Sequence, residues 1–406
     1  MTRPTGASRV LVAAGVLLAL LTIAAFVLLA LLRFSPLWGA IGMFDDARRT
    51  EAFRTMDTTF PAQRVAAGDE PWLFTVAERP LPAHYTFAGE ERSIATFLER
   101  TETTGLLVAR DGAIMHESYH RGYDSAAPIT SFSVAKPFVT ALVGIAIERG
   151  HIASIDDALD TYVPELASGG YAGVTIRQAL TMTSGISWDE AYDDPRSDVM
   201  SLPIQVYAWR RTVPAVLSGL ERSRPPGSER SYASSDALAL GAVVSRAVGL
   251  PLAAFLEEAL WVPAGMQSDA AWNTDLHDNA LSHAFLNATL RDYARFGRLV
   301  VHGGARDGRQ IVPSEWIDDA LRATAAPRAE TGARPFGADF DLGYHWWLPS
   351  TSEGEAVAIG IFGQYLYVHR GLGVVIVKTG TDADFAGREA ETVAMLRAIA
   401  RSLDAE

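Results

Sequence analysis

The sequence predicts an α/β (α+β) protein with an antiparallel sheet flanked by helices, an all-helical subdomain and an N-terminal transmembrane helix. Three observations support this prediction. Apolar segments with strand character lie near residue 110 and between residues 344 and 378, close to the two ends of the globular part. Segments with helical periodicity fill the interval between them. An unbroken apolar run at residues 10–32 precedes the globular part.

The composition excludes several functional classes. The 406-residue chain has a net charge of −13 and no basic cluster, which argues against a nucleic-acid partner. Because it has no cysteine, it has no disulfide framework, no thiolate nucleophile and no Cys-ligated zinc. Its basic residues are almost all Arg, and the two lysines are Lys136 and Lys378. Lysine can lose its proton in a protein whereas arginine cannot, so these two positions are candidates for acid–base chemistry.

The N-terminal part is predicted to be a membrane anchor. Residues 1–9 are expected to be cytoplasmic, residues 10–32 to cross the lipid bilayer, and residues 33–89 to form a stalk or lead-in. Arg3 and Arg9 precede the apolar run, which places the rest of the single-pass protein on the periplasmic, extracytoplasmic side of the cell membrane. A cleaved signal peptide is the alternative, although a good cleavage site does not follow the run.

The globular domain is predicted to cover residues 90–406. An Asp111-Gly112 turn joins two strands, and a capping box of Thr175 and Gln178 opens a short helix. The predicted strands are residues 105–110, 113–119, 344–348, 355–359, 365–369 and 374–378. The predicted helices are residues 133–149, 176–182, 234–248, 251–260, 289–302 and 382–403. Since strands occupy both ends of the domain, we expect one sheet built from both ends with a helical insertion.

Ser133-Val-Ala-Lys136 is a Ser-x-x-Lys motif at the start of a predicted helix. A helix places positions i and i+3 on one face, so the Lys136 amine can reach the Ser133 hydroxyl. A neutral lysine can take the hydroxyl proton and activate the serine as a nucleophile. Taken alone, the motif favours an N-cap serine followed by an exposed lysine. The apolar flanks change this, because burial of a lysine is costly unless its charge is paired or its proton is lost.

Further segments accompany this motif in a fixed order. They are Arg110-Asp-Gly112, Ile155-Asp-Asp157, Tyr162-Val-Pro-Glu-Leu166, Thr175-Ile-Arg177, Leu180-Thr-Met-Thr-Ser-Gly185, Tyr232-Ala-Ser234, Arg291-Asp-Tyr-Ala-Arg-Phe-Gly297 and Gly363-Gln364. With them the sequence resembles the serine β-lactamase and penicillin-binding-protein superfamily, in the class C-like branch with the family VIII esterases and 6-aminohexanoate-dimer hydrolases. The resemblance covers residues 100–400 and implies a β-lactamase/transpeptidase-like fold.

The resemblance assigns a catalytic role to Tyr232. It would join Lys136 in a proton relay and return a proton to the leaving group. A phenol beside a cationic amine can have a lowered pKa, which would let Tyr232 act first as a base and then as an acid. Ser234 is expected to position the substrate or Lys136. Without the resemblance, Tyr232 would be interpreted as an aromatic residue that packs on the core.

The family also carries a Lys-Thr-Gly, or His- or Trp-x-Gly in esterases, on a strand lining the site. Lys378-Thr-Gly380 matches literally, but it directly precedes the last predicted helix, whereas the family triad lies one strand earlier. Ala358-Ile-Gly360 is therefore expected there, with Gly360 contacting substrate. The N–H groups of Ser133 and Ile361 would form the oxyanion hole. A cation for a β-lactam carboxylate is then missing, which favours an ester or amide substrate.

The segment that contains Trp188 and Tyr192 resembles the loop that covers substrate in the aminohexanoate hydrolases. Both residues are therefore candidates for substrate binding. A surface loop anchored by its tryptophan is an equally good interpretation.

Residues 116–120 read His-Glu-Ser-Tyr-His and match the zinc-protease H-E-x-x-H pattern. That pattern binds zinc only on a helix, where the two histidines share a face. Here it lies on a predicted strand, where His116 and His120 are too far apart to chelate one ion. No metal site and no cofactor are expected.

These observations predict a membrane-anchored serine hydrolase that cleaves a small-molecule ester or amide, or a peptide-like substrate. Ser133 would carry the acyl group, with Lys136 and Tyr232 as the proton relay. A D-Ala-D-Ala carboxypeptidase or β-lactamase is an alternative that requires Lys378 in the site. A non-catalytic, penicillin-binding-like binding module is a second alternative, and it would fit an exposed Lys136 with an ordinary pKa.

Overall fold

The computed structural model describes residues 6–33, 35–40, 42–329, 340–350 and 354–404. In these residues an eight-stranded sheet has the spatial order β4-β5-β6-β7-β8-β2-β3-β1. Its strands are β1 (Thr75–Val76), β2 (Thr103–Arg110), β3 (Ala113–Tyr119), β4 (Phe340–Leu342), β5 (Trp347–Pro349), β6 (Glu355–Gly360), β7 (Gln364–His369) and β8 (Val374–Gly380). Neighbouring strands are antiparallel, except β1, which is parallel to β3. Both ends of the domain thus build one sheet, as predicted.

Helices form much of the rest of the described chain. The longer ones are α1 (Gly6–Arg33), α2 (Asp46–Arg54), α3 (Lys136–Glu148), α4 (Ser234–Val248), α5 (Leu290–Val301) and α6 (Glu389–Ser402). Shorter helices span Pro36–Ala40, Met56–Thr59, Ile94–Arg100, Leu159–Tyr162, Ile176–Leu180, Asp198–Pro203, Val213–Leu217, Leu252–Leu256 and Ser314–Ala320. A second, four-stranded sheet contains Ala62–Val65, Ala270–Asn273, Leu286–Ala288 and Ile129–Thr130.

The sheet is buried on both faces because a helix packs on each. Strand β8 is buried along its whole length, which explains its continuous apolar run. Helix α5 packs on one face, where a Cβ added to Gly297 would lie 2.5 Å from Val375 Cγ1, so glycine is needed for this close approach. Helix α6 packs on the other face through Val393, Leu396 and Ile399.

Helix α3 positions the predicted nucleophile. The chain makes a 3₁₀ turn at Phe132–Ala135 and continues directly into α3, which is buried along most of its length and packs on α4. The 3₁₀ turn also contacts β6. The start of α3 therefore lies where the helical region meets the sheet.

Two predicted elements are shorter in the structure. The strand predicted at residues 344–348 begins at Trp347, because His345 has a φ of +61° and its backbone N–H bonds the nearby Gly343 carbonyl. The His345 ring bonds the Ala179 carbonyl. The helix predicted at residues 382–403 begins at Glu389. The residues before it form a turn closed by the Arg388–Asp382 ion pair and a positive φ at Gly387.

The segment expected to be a stalk is packed against the domain. Strand Ala62–Val65 pairs with Ala270–Asn273, and Phe53 of α2 is fully buried. Arg49, also buried, donates to the Thr381 carbonyl at 2.6 Å. The expectation of a stalk is thus wrong for residues 46–65, because their apolar side chains complete the core. The domain boundary at residue 90 stays a prediction.

The predicted anchor forms the exposed helix α1, and Ala13–Ala30 is long and apolar enough to cross a membrane. A signal sequence has the same properties. Residues 1–5 of the predicted cytoplasmic N-terminus lie outside the described residues.

Candidate active site

Ser133 lies on a strained turn. The preceding residue, Phe132, has a φ of +42°, a left-handed conformation that costs about 1–3 kcal/mol in a bulky residue. Ser131 fixes this turn: its hydroxyl donates to the Phe132 carbonyl at 2.9 Å and accepts from the Leu286 N–H at 3.0 Å. The surrounding fold holds the backbone of the nucleophile in an unusual conformation.

Lys136 contacts Ser133 directly. Its Nζ donates to Ser133 Oγ at 2.7 Å and to the His283 carbonyl at 2.8 Å, and its side chain is buried. Burial lowers the pKa of Lys136 to about 8, while the negative charge of Glu190 partly opposes this shift. With this pKa, about one lysine in ten carries a neutral amine at pH 7. Burial and the charge of Lys136 also lower the pKa of His283, which is therefore a neutral imidazole. His283 lines the pocket in front of Ser133.

Tyr232 is also close to the nucleophile. Lys136 Nζ lies 5.1 Å from the centroid of the Tyr232 ring, and that ring stacks on Trp347 at 5.4 Å. Burial, followed by the charge of Glu190, raises the pKa of Tyr232 above its ordinary value, and interactions with the Ser133 and Ser234 side chains offset only part of the rise. The expectation of a lowered pKa is therefore wrong: loss of solvation is the largest cause of the shift, and Tyr232 holds its proton.

Glu190 is a buried carboxylate that the sequence analysis missed. One oxygen accepts from Ser234 Oγ and from the Tyr192 hydroxyl, both at 2.6 Å. The other accepts from the Ser234 N–H at 2.9 Å and from the Trp188 indole N–H. Buried carboxylates require such donors. The position of Glu190 between Trp188 and Tyr192, both candidates for substrate binding, was the feature of the sequence that could have indicated it. Ser234 therefore positions Glu190, whose negative charge raises the pKa of both Lys136 and Tyr232.

The end of β6 packs on the nucleophile turn. A Cβ added to Gly360 would lie 2.7 Å from the Ser131 carbonyl oxygen, so glycine is required there. Ile361 lines the pocket together with Ser133. Phe362, the next residue, has a φ of +60°, so both sides of the predicted oxyanion hole are flanked by left-handed phenylalanines.

Lys378 lies on β8, two strands away from β6. It is buried, and its Nζ lies 6.0 Å from the centroid of the Tyr365 ring. Burial lowers its pKa to about 8, although the Asp382 carboxylate opposes the shift. Lys378 is not among the described residues that line the Ser133 pocket.

The pocket in front of Ser133 has about 550 Å³ of space not filled by protein atoms, part of it open to solvent. Its polar lining residues are Ser133, Glu190, Tyr192, Ser234 and His283. Its apolar lining residues are Met43, Phe44, Phe132, Val199, Met200, Leu202, Pro203, Leu281, Ala284, Phe285 and Ile361. Tyr192 thus reaches the pocket as expected, whereas Trp188 is outside the described lining and contacts Glu190 instead.

The His-Glu-x-x-His segment begins on β3, and its residues are not among the described residues that line this pocket. Glu117 binds Arg291 through two hydrogen bonds of 2.7 and 2.6 Å, and His116 Nε2 lies 3.1 Å from Ser118 Oγ. These residues have local structural partners.

Comparison with known proteins gives a consistent result. The family model "Beta-lactamase" matches residues 91–398. A 6-aminohexanoate-dimer hydrolase from Paenarthrobacter ureafaciens is 30% identical over 320 residues, which cover 76% of this chain and 80% of that protein.

Solved structures show the same fold. A provisionally assigned 6-aminohexanoate-dimer hydrolase from Bacillus anthracis superposes with a TM-score of 0.79 at 24% identity, over 89% of this chain and 96% of that one. A penicillin-binding protein homologue from Caulobacter crescentus gives a TM-score of 0.57 at 17% identity, over 74% of this chain and 91% of that one. The chain belongs to the Beta-lactamase family and is a serine hydrolase of the β-lactamase and penicillin-binding-protein superfamily.

Proposed function

We propose that the protein hydrolyses an ester or amide through an acyl-enzyme on Ser133, with Lys136 and Tyr232 as the proton relay. The observation that carries this proposal is the 2.7 Å contact between Lys136 Nζ and Ser133 Oγ, made by a buried lysine whose pKa is lowered to about 8. Nucleophile and base are within hydrogen-bonding distance before substrate binds.

In the acylation step, neutral Lys136 takes the Ser133 proton while Oγ attacks the substrate carbonyl carbon. The N–H groups of Ser133 and Ile361 receive the developing oxyanion. Tyr232 gives its proton to the leaving alcohol or amine, and Lys136 then returns a proton to Tyr232. This order follows from the two pKa directions: burial makes Lys136 easier to deprotonate and makes Tyr232 retain its proton until the leaving group needs it.

Deacylation repeats the sequence with water as the nucleophile. Water loses a proton to the relay and adds to the acyl carbon, and Ser133 leaves with the proton that the relay returns. These steps use only this chain's side chains and backbone.

The lining of the pocket favours an ester or amide over a β-lactam. A β-lactam carboxylate would require a cation, but the triad expected on β6, Ala358-Ile-Gly360, begins with alanine, and Lys378 lies two strands away. The carboxylate in the described lining, Glu190, would repel such a substrate. The relative from Paenarthrobacter ureafaciens is named for hydrolysis of a 6-aminohexanoate dimer, which agrees with this choice.

We test this with the full chain in detergent, comparing wild type with Ser133→Ala on nitrophenyl butyrate and a chromogenic cephalosporin. Nitrophenol release that disappears in the variant, with faster turnover of the ester than of the cephalosporin, supports the proposal. Faster cephalosporin turnover supports the β-lactamase alternative. No turnover of either substrate, and no acyl adduct on Ser133 by mass spectrometry, favours the binding module.

We also propose that residues 10–32 anchor the hydrolase at the extracytoplasmic face of the cell membrane. Helix α1 supports this by its length and apolar surface. Because the chain has no cysteine, single introduced cysteines report topology cleanly. An impermeant maleimide should label Arg196→Cys, and not Thr5→Cys, in intact cells. The opposite pattern, or loss of the N-terminal peptide from the mature protein, would reject the anchored arrangement.

A further inference from the structure

A segment outside the family match contributes to the active-site pocket. The match begins at residue 91, whereas Met43 and Phe44 line the pocket in front of Ser133. Phe44 stacks on Phe362 with ring centroids 5.2 Å apart, so the segment is fixed against the predicted oxyanion side of the site. Met43 is buried.

Met43 also borders a second, smaller cavity. This inner cavity encloses about 20 Å³, within about 250 Å³ of space that is not filled by protein atoms and is partly open to solvent. It shares Met43, Pro203, Leu281 and Phe285 with the catalytic pocket. The rest of its lining consists of Met56, Phe60, Tyr207 and Asn273. The four shared residues form the boundary between the two cavities. Among them, Met43 has an unbranched, flexible side chain, which a substitution can shorten with little effect on the backbone.

The inner cavity suits an apolar occupant, because its polar side chains are already engaged. Asn273 Nδ2 donates to the Met56 and Pro61 carbonyls at 3.1 and 3.2 Å, and its Oδ1 accepts from Asn287 Nδ2 at 2.9 Å. The Tyr207 hydroxyl donates to the Thr274 carbonyl at 3.0 Å. A polar ligand group entering here would lose hydrogen bonds with water and find few replacements.

The position of the relay indicates which part of the substrate faces these cavities. The leaving group must reach the hydroxyl of Tyr232, which is not among the described residues lining either cavity. Ser133 and Ile361, which would hold the acyl carbon and its oxygen, do line the outer one. The apolar space therefore extends from the acyl side.

Resting on the acyl-enzyme function above, we propose that the substrate's acyl group is a straight apolar chain and that Met43 closes the end of its pocket. Met43 is then a specificity-determining residue that limits chain length. Truncation to alanine removes three heavy atoms and joins the two cavities, which makes room for about two further methylene groups. At about fourfold per buried methylene, two methylenes raise the preference for a longer chain roughly fifteenfold.

The test measures kcat/KM of the full chain in detergent on nitrophenyl esters with acyl chains of two to twelve carbons. We expect Met43→Ala to move the optimum to a longer chain and to raise the ratio of long-chain to butyrate turnover roughly fifteenfold. Met43→Phe should do the reverse, and it keeps the test decisive if the alanine variant does not fold. Met395→Ala is the matched control: this methionine is equally buried, but in the core around α6.

Chain-length profiles of Met43→Ala and Met43→Phe that both equal the wild-type profile overturn the inference while leaving the proposed function intact. A shift of equal size in Met395→Ala overturns it too, because the effect would then be general loosening. Failure of the proposed function is distinct: wild type itself would release no nitrophenol and form no adduct on Ser133.

Discussion

The pH dependence of turnover tests whether Lys136 is the base. Burial lowers its pKa from 10.5 to about 8. At pH 7 such an amine is neutral in about one molecule in ten, whereas an ordinary lysine is neutral in about one in three thousand. Burial thus raises the reactive fraction roughly 300-fold, equivalent to about 3 kcal/mol at 1.36 kcal/mol per factor of ten.

The active form is the neutral amine, so activity is lost as the pH falls through about 8. We expect kcat/KM on nitrophenyl butyrate to rise about ninefold from pH 6 to 7, about fivefold from pH 7 to 8, and less than twofold from pH 8 to 9. Ser133→Ala supplies the blank for spontaneous ester hydrolysis at each pH.

The second buried lysine makes this experiment discriminating. Lys378 has the same lowered pKa of about 8, so the wild-type profile alone does not assign the titration. We expect Lys378→Met to leave the rise of kcat/KM with pH (the rising limb) at the same pH as in the wild type. We expect Lys136→Met to remove turnover. A limb that moves in Lys378→Met, or substantial turnover by Lys136→Met with an unchanged limb, would refute the assignment.

Three further predictions concern the surroundings of the nucleophile. Glu190→Gln should move the rising limb to lower pH, because the Glu190 charge raises the pKa of Lys136; a limb that stays in place or moves up contradicts this. Gly360→Ala should lower both the melting temperature and kcat, since its Cβ would lie 2.7 Å from the Ser131 carbonyl oxygen; wild-type values in both assays would show that the strand end is free to move. Phe53→Ala should cost roughly 3–5 kcal/mol of unfolding free energy in denaturant titration, because the ring is fully buried against Phe132; a loss under 1 kcal/mol would mean that this segment is dispensable.

Local chemistry accounts for the features that the sequence predicted well. The Asp111-Gly112 turn adopts positive φ at both residues, and the Thr175–Gln178 capping box forms as its spacing requires. The contact between Ser133 and Lys136 joins residues three apart on one turn of backbone. Failures occurred where distant groups compete with local propensity, as at His345, whose ring bonds a carbonyl 166 positions away.

The sequence by itself determined strands β2, β3 and β5 to β8 of the main sheet, the longer helices other than α2, and the pairing of Ser133 with Lys136, because hydrophobic period and residue spacing act over a few positions. Only the tertiary structure decided the electrostatics and the walls of the site. Ser234 and Glu190 are 44 positions apart, yet their hydrogen bonds hold a carboxylate whose charge raises the pKa of Lys136 and of Tyr232. Burial by remote segments lowers the pKa of Lys136 and raises that of Tyr232. Met43 reaches the pocket from 90 positions before Ser133. Desolvation depends on everything that packs around a group, and no short stretch of sequence contains that information.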